Sequence, residues 1–403
     1  MERSAIRLLL VDDDPFMTRL LGRMLANLGC EHYVGCESGE QALREIDACA
    51  PDLILCDLNM PEMDGLEFVR HLVDRKFTGS LVLVSGENER MLQTAEGLVR
   101  AHRLNLLGRL QKPVALEALA ALLDRWAPPE AARVRPASRV YPPEELAAAI
   151  ANGELINHYQ PVVAVATGHV LGAETLVRWK HPSAGTVYPD QFIGVAEEHD
   201  LIDDLSATVL RMAMHQSRDW QTAGMNLRVS VNLSMDNLSS LGFPELVAGM
   251  ARQLDVKPEQ LVLEVTESRL AKDLRVPLEV LTRLRLKRFG LSIDDFGTGH
   301  SSLTQLHDFP FGELKVDRSF VHGAAQDETL RAIYEASLGL ARRLNMEVVA
   351  EGVEDRDDWD FLRRTNCDLA QGYFIARPMA AEQVPGWIAQ WQERVHVEKL
   401  VVA

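Results

Sequence analysis

The feature that most constrains this chain is a set of acidic and amide side chains set into runs that are otherwise apolar. Glu174 interrupts Val170-Leu171-Gly172-Ala173-Glu174-Thr175-Leu176-Val177, and Glu264 sits inside Leu261-Val262-Leu263-Glu264-Val265. Asn232 follows Val229-Ser230-Val231, Asp294 and Asp295 end Leu291-Ser292-Ile293, and Glu351 follows Val348-Val349-Ala350. Short apolar runs of this kind read as buried strands. A polar group placed there is costly to bury unless it is used. The fold must therefore bring these groups together from strands that are far apart in sequence.

Eight strand-like segments fall in this half of the chain: His158–Val165, Val170–Trp179, Leu227–Leu233, Leu261–Thr266, Gly290–Asp295, Glu313–Asp317, Glu347–Ala350 and Leu369–Ile375. Helical patterns separate most of them, which predicts an α/β fold of the (β/α)8 barrel type. The first two segments are joined only by Ala166-Thr167-Gly168-His169. A parallel crossover needs a dozen or more residues, so this joint must be a hairpin and one strand antiparallel. Lys315 and Asp317 lie two apart in a strand-like run and share a face. Gln371 begins Gln371-Gly372-Tyr373-Phe374. Barrel active sites sit at the carboxyl ends of the strands.

Five acidic side chains and one amide meeting there (Glu174, Asn232, Glu264, Asp294, Asp295, Glu351) would repel one another without cations. An all-oxygen ligand set points to Mg2+ or Mn2+ rather than Zn2+. Two ions about 4 Å apart are the usual arrangement for cleaving a phosphodiester. Arg178, four residues beyond Glu174, shares its strand face. It could grip a phosphate bidentately or form a surface salt bridge. Trp179 and Trp220 read as packing residues rather than stacking platforms.

Prolines at 128, 129, 136, 142 and 143 mark a break. The expected division is residues 1–126, a linker over 127–142, and residues 143–395. In the first part, Ile6–Val11, Leu53–Cys56 and Leu81–Val84 alternate with helical patterns over Phe16–Leu28 and Gly39–Asp47. This predicts a doubly wound parallel sheet with helices on both faces. Asp12, Asp13 and Asp14 follow the first strand, and Asp57 and Ser85 end two others. Lys112 follows the apolar segment Leu104–Leu110. These groups should converge at one sheet edge, where carboxylates and water suit Mg2+ and Lys112 would help neutralise an incoming phosphoryl group. For Asp14 alone, a helix cap is the better reading.

Composition narrows the function. Lys plus Arg number 42 against 59 for Asp plus Glu, a net charge of −17. That balance argues against DNA binding and a membrane-surface role. An anionic substrate would have to be drawn in by metal ions. There is no apolar run of about 18 residues, so no membrane span is expected. The five cysteines form no Cys-x-x-Cys, which fits a reduced, cytoplasmic location.

Two resemblances follow from these motifs. Residues 4–125 resemble a response-regulator receiver domain through Val11-Asp12-Asp13-Asp14-Pro15, Asp57-Leu58-Asn59-Met60-Pro61, Ser85-Gly86 and Lys112-Pro113. That resemblance implies a five-stranded sheet, one Mg2+ at Asp12, Asp13 and Asp57, phosphorylation of Asp57 by a sensor histidine kinase, and a switch through Ser85 and Lys112. Arg109 stands where the family usually carries an aromatic switch residue.

Residues 143–390 resemble the EAL cyclic di-GMP phosphodiesterases through Tyr159-Gln160-Pro161, Glu174-Thr175-Leu176-Val177-Arg178, Val231-Asn232-Leu233-Ser234, Glu264-Val265-Thr266-Glu267, Asp294-Asp295-Phe296-Gly297-Thr298-Gly299, Leu314-Lys315-Val316-Asp317, Ala350-Glu351-Gly352-Val353-Glu354 and Gln371-Gly372-Tyr373. The namesake Glu-Ala-Leu reads Glu-Thr-Leu here. This resemblance implies hydrolysis of cyclic di-GMP to linear pGpG with two Mg2+ or Mn2+ ions. Their ligands would be Glu174, Asn232, Glu264, Asp294, Asp295 and Glu351. It implies Glu351 and Lys315 as catalytic residues, with Gln160, Arg178, Asp317, Glu354 and Gln371 on the substrate. Glu267 would anchor the loop Asp295–Ser302, and a homo-oligomer, dimer or tetramer, is expected by family analogy. A barrel that only senses cyclic di-GMP, or an adaptor acting through the receiver, are the alternative readings. No Gly-Gly pair occurs, so the Gly-Gly-Asp-Glu-Phe signature of a diguanylate cyclase is absent.

Overall fold

The computed structural model describes residues 3, 6–75, 77–87, 89–102, 104–126, 141–266, 275–298, 306 and 308–401. The chain forms two compact units, Met1–Ala137 and Ser138–Ala403. No helix among the described residues is long and apolar enough to cross a membrane.

The first unit is a five-stranded sheet: β1 (Arg7–Val11), β2 (His32–Cys36), β3 (Leu53–Asp57), β4 (Ser80–Ser85) and β5 (Asn105–Gln111). The order is β2-β1-β3-β4-β5 and every pairing is parallel. β3 and β4 are buried along their whole length, as their near-continuous apolar sequence requires. The edge strand β2 is mostly exposed, and its sequence His32-Tyr33-Val34-Gly35-Cys36 carries no apolar run. That is why the sequence pattern did not announce it. The order in which the strands are added reverses between β1 and β3, and a doubly wound sheet opens its ligand crevice at such a point.

The second unit is a barrel. Its staves are β6 (Leu155–Ala164), β7 (Val170–His181), β9 (Arg228–Leu233), β10 (Leu261–Thr266), β11 (Gly290–Phe296), β12 (Glu313–Val316), β13 (Glu347–Ala350) and β14 (Leu369–Ala370). Two short strands, β8 (Gly185–Val187) and β15 (Met379–Ala380), attach outside the ring. Pairing of β6 with both β7 and β14 closes the ring. β6 is antiparallel to both neighbours, and the other stave pairs are parallel. The hairpin between β6 and β7 turns at Gly168, whose N–H donates to Ala164 O at 2.8 Å.

The last stave is shorter than the sequence pattern indicates. Strand geometry stops at Ala370, and residues 372–375 form a bend and turn, with Phe374 N–H bonded to Val353 O. β12 likewise ends at Val316, and Asp317 caps the next helix, Arg318–Val321, by accepting from Ser319 N–H at 3.0 Å. Trp179, Trp220, Trp359 and Trp391 are buried in the shell between barrel and helices. Their size makes them large contributors to that apolar core.

Candidate active site

In the first unit, the sheet's carboxyl edge gathers the expected groups. Asp12 leaves β1 and Asp57 ends β3, both buried. Lys112 Nζ lies 2.7 Å from Asp12 Oδ2 and 2.7 Å from Asp57 Oδ2. Carboxylate oxygens of Asp12, Asp13 and Asp57 fall within 4.8 Å of one another. Burial raises the Asp12 pKa, against the pull of the Lys112 ammonium. Asp14 points away and caps the helix Pro15–Asn27 through Phe16 N–H. The buried Ser85 hydroxyl ends β4 and accepts from Glu87 N–H at 3.1 Å. Arg109, on β5, pairs with Glu96 on the helix Glu89–Ala101 at 3.3 Å.

In the barrel, each parallel stave delivers a polar group to the same end. Glu174 comes from β7, Asn232 from β9, Glu264 from β10, Asp294 and Asp295 from β11, Lys315 from β12, Glu351 from just after β13, and Gln371 from just after β14. The antiparallel β6 reaches this end with Gln160, directly opposite Glu174. Lys315 is the hub. The residue is 1% exposed, and its ammonium lies 2.7 Å from Glu351, 2.8 Å from Glu264, 3.3 Å from Asp294 and 3.6 Å from Glu174. Burial opposes its charge, but Glu174, Glu264, Glu351 and Asp294 outweigh burial and hold its pKa well above the lysine range.

The carboxylates carry more negative charge than one ammonium balances. Burial pushes the Glu351 pKa up to about 8; Lys315 opposes the rise, and Asp294 and Glu174 add to it. Asp295 is pushed up to about 6 by burial and by Asp294 and Asp317. Glu264, deepest of the set, is raised by burial despite Lys315. Oxygens of Asp294, Asp295 and Glu351 lie within 4.8 Å of one another. Amides tie the rest. Asn232 Nδ2 donates to Glu174 Oε1 at 2.8 Å, and Gln371 Nε2 donates to Glu174 Oε2 at 2.6 Å and to Gln160 Oε1 at 3.0 Å. Gln371 Oε1 is buried without a hydrogen-bond partner among the described residues. An unmet acceptor beside crowded carboxylates is chemistry that a cation or a donor-bearing ligand completes.

A cavity of about 280 Å³ opens over this cluster. Glu174, Asp294, Asp295, Glu351, Gln160 and Gln371 line it, as do the substrate candidates Asp317 and Glu354. Glu264 and Lys315 lie beneath it, and Asn232 borders a neighbouring, more apolar cavity of about 270 Å³. Arg178 does not reach the cavity wall. It is buried, donates to Val177 O, and stacks 5.0 Å from the Tyr188 ring centroid, so it does not form a surface salt bridge. Glu267 lies outside the described residues, as does part of its loop, 299–302. Sequence reasoning gave no role to Arg318, Gly352 or Tyr373, which also line the cavity. Gly352 had a readable signal in Glu351-Gly352-Val353-Glu354: its φ is +66°, and a Cβ there would stand 2.1 Å from the Arg318 Cβ.

Comparison with known proteins places both units. The EAL domain model matches residues 143–378, and the Response regulator receiver domain model matches residues 8–124. The cyclic di-GMP phosphodiesterase RocR of Pseudomonas aeruginosa is 32% identical over 381 residues, covering 93% of this chain and 96% of that protein. MucR of the same organism, a bifunctional diguanylate cyclase/cyclic di-GMP phosphodiesterase, is 39% identical over 246 residues. That match spans 61% of this chain but only 36% of MucR. A solved structure of the PaMucR phosphodiesterase in complex with c-di-GMP superposes with a TM-score of 0.57 at 40% identity, covering 60% of this chain and 98% of that one.

Proposed function

The chain belongs to the EAL domain family and carries a response regulator receiver domain ahead of it, and we propose from that premise that it hydrolyses cyclic di-GMP to linear pGpG under control of receiver phosphorylation. The observation that carries this reading is the cluster at the barrel's carboxyl end, where Glu174, Glu264, Asp294 and Glu351 surround Lys315, Asn232 donates to Glu174, and Asp295 stands beside Asp294 and Glu351. No member of the ligand set or of the catalytic pair is replaced, which favours an enzyme over a sensor.

The donor set fits divalent cations: it is all oxygen, it is crowded enough to raise Glu351 and Asp295, and it leaves Gln371 Oε1 unmet. Glu174, Asn232, Glu264, Asp294, Asp295 and Glu351 would hold two Mg2+ or Mn2+. Such ions supply positive charge that acidifies a water and offsets charge building on the phosphoryl oxygens. Lys315 would orient the attacking water by donating to it, and Glu351, 2.7 Å from Lys315, would accept its proton. Gln160, Asp317, Glu354 and Gln371, on the cavity wall, would contact the dinucleotide. Arg178, stacked on Tyr188, would contact a phosphate if the dinucleotide extends to it.

In the receiver, the ammonium of Lys112 beside Asp57 and the acidic pair Asp12 and Asp13 support one Mg2+ and phosphoryl transfer to Asp57 from a sensor histidine kinase. A homo-oligomer is part of this reading and is checked by light scattering. The test of the activity is incubation of the full chain with cyclic di-GMP and Mg2+, or with chelator, followed by chromatography. Formation of pGpG only with Mg2+ is expected. Dinucleotide that is bound but uncleaved in Mg2+ would favour the sensor, and neither binding nor cleavage would overturn the reading.

A further inference from the structure

Asp358 is a buried carboxylate to which the reaction gives no part. It is 1% exposed, belongs to the helix Arg356–Thr365, and does not line the acidic cavity. Burying a carboxylate is costly unless donors surround it. Here Oδ2 accepts from Glu354 N–H at 3.0 Å and from His322 Nδ1 at 2.9 Å, and Oδ1 accepts from Gly323 N–H at 3.1 Å. One side chain therefore ties together two segments that follow the neighbouring staves β12 and β13.

Both segments supply cavity residues. Asp317 and Arg318 come after β12, and Glu351, Gly352 and Glu354 come after β13. The segments also meet at Gly352, which leaves no room for a Cβ beside Arg318. Glu351 has its own anchor, because its N–H donates to Val316 O at 3.1 Å. Glu354 lies farther from the strand, and its side chain is 46% exposed, so packing alone does not set its direction. Asp358 takes its N–H, and His322 Nε2 lies 3.9 Å from its Oε2. The imidazole thus bonds to Asp358 through one nitrogen and faces Glu354 with the other. Glu354 is held through its backbone and its side chain together.

Resting on the phosphodiesterase reading above, which puts Glu354 on the substrate, we propose that the Asp358–His322 pair is the positioning element for that contact, holding the Glu354 carboxylate where the cyclic dinucleotide meets it. Neither Asp358 nor His322 lines the cavity. The pair acts on binding and leaves Glu351 and the carboxylate cluster in place. Members of one hydrogen-bond network couple strongly, so loss of the pair should weaken binding by about 3- to 30-fold.

The experiment uses the full chain. KM and kcat for cyclic di-GMP are measured in Mg2+, and Kd is measured by calorimetry with Ca2+ in its place. Asp358→Asn keeps the shape of the side chain and one acceptor oxygen. It should raise KM and Kd within that range while kcat at saturation stays near wild type. His322→Ala should move both constants in the same direction by a smaller factor. His322→Asn, whose amide nitrogen can stand where Nδ1 stands, should bring them back toward wild type. A double-mutant cycle decides whether the effect passes through Glu354. In a Glu354→Gln background, Asp358→Asn should raise KM and Kd hardly further, because the contact it serves is already lost. Equal rises in the two backgrounds would overturn the proposal, since a general structural defect adds independently of Glu354. Unchanged KM and Kd in Asp358→Asn, or a fall in kcat alone, would overturn it as well. Should Asp358→Asn lose the barrel transition in calorimetry, the same cycle run on the exposed His322 decides. Should the wild-type chain bind the dinucleotide without cleaving it, the phosphodiesterase reading fails and the Kd cycle still decides the positioning role.

Discussion

Replacing Lys315 with methionine tests the charge balance of the barrel end. Methionine is similar in length and fills the space with little strain, so the substitution chiefly removes the ammonium. Four carboxylates lie within 3.6 Å of it, all sharing one largely buried site. Removing one partner from a buried ion pair costs about 3–5 kcal/mol. A bare Coulomb sum over four neighbours would give far more. Glu351 and Glu264 already sit above the carboxylate range, however, and take up protons once the lysine is gone, which caps the loss. At about 2–4 °C of melting shift per kcal/mol for a unit of this size, the barrel transition should fall by about 6–20 °C in chelator. Mg2+ should narrow the deficit, because cations that bind the folded state add about 2.7 kcal/mol at a hundred times Kd. The variant's site, freed of a competing positive charge, should gain more than wild type. Scanning calorimetry of the full chain, with and without Mg2+, reads both effects. A barrel transition within about 2 °C of wild type in chelator would refute the claim that Lys315 neutralises the cluster.

Three further outcomes are expected. Asp57→Asn should abolish labelling by a small-molecule phosphodonor while leaving the barrel transition in place; normal labelling would remove Asp57 as the acceptor. Glu351→Ala should lower kcat by about 10²–10⁴-fold with a much smaller change in KM, the signature of a lost general base; a near-normal rate would dismiss that role. His322 gives a pH test. Its Nδ1 lies 2.9 Å from the buried carboxylate of Asp358, and this hydrogen bond raises the His322 pKa against a smaller effect of burial. A raised folded pKa means the stabilisation is fully present below the unfolded value of about 6.5 and is lost as pH climbs through the higher folded value. His322→Ala should therefore lower the melting temperature at acidic pH and have little effect under alkaline conditions. An equal loss at both would deny the protonated pair.

Much of this architecture was legible in the sequence because its signals are local. Acids embedded in apolar runs mark the barrel strands and their functional ends together. The short joint after Ala164 sets the antiparallel strand, since nothing but a hairpin fits there. What escaped depends on surroundings. β2 lacks an apolar run because an edge strand needs none. Gln371-Gly372-Tyr373-Phe374-Ile375 has the look of a strand but turns, since Gly372 must pack on the Val353 backbone. Period-two reasoning puts Arg178 on the face of Glu174 but cannot say whether its long side chain extends to the cavity or lies along Tyr188. Tyr373 falls in the same 371–375 stretch, and its exposure follows from the turn.

The most direct test of the central claim is an anomalous-difference map from crystals of the full chain grown with Mn2+ and cyclic di-GMP. The account predicts two manganese peaks among Glu174, Asn232, Glu264, Asp294, Asp295 and Glu351, with a phosphodiester of the dinucleotide against them. Bound dinucleotide with no metal peak among these residues would contradict it.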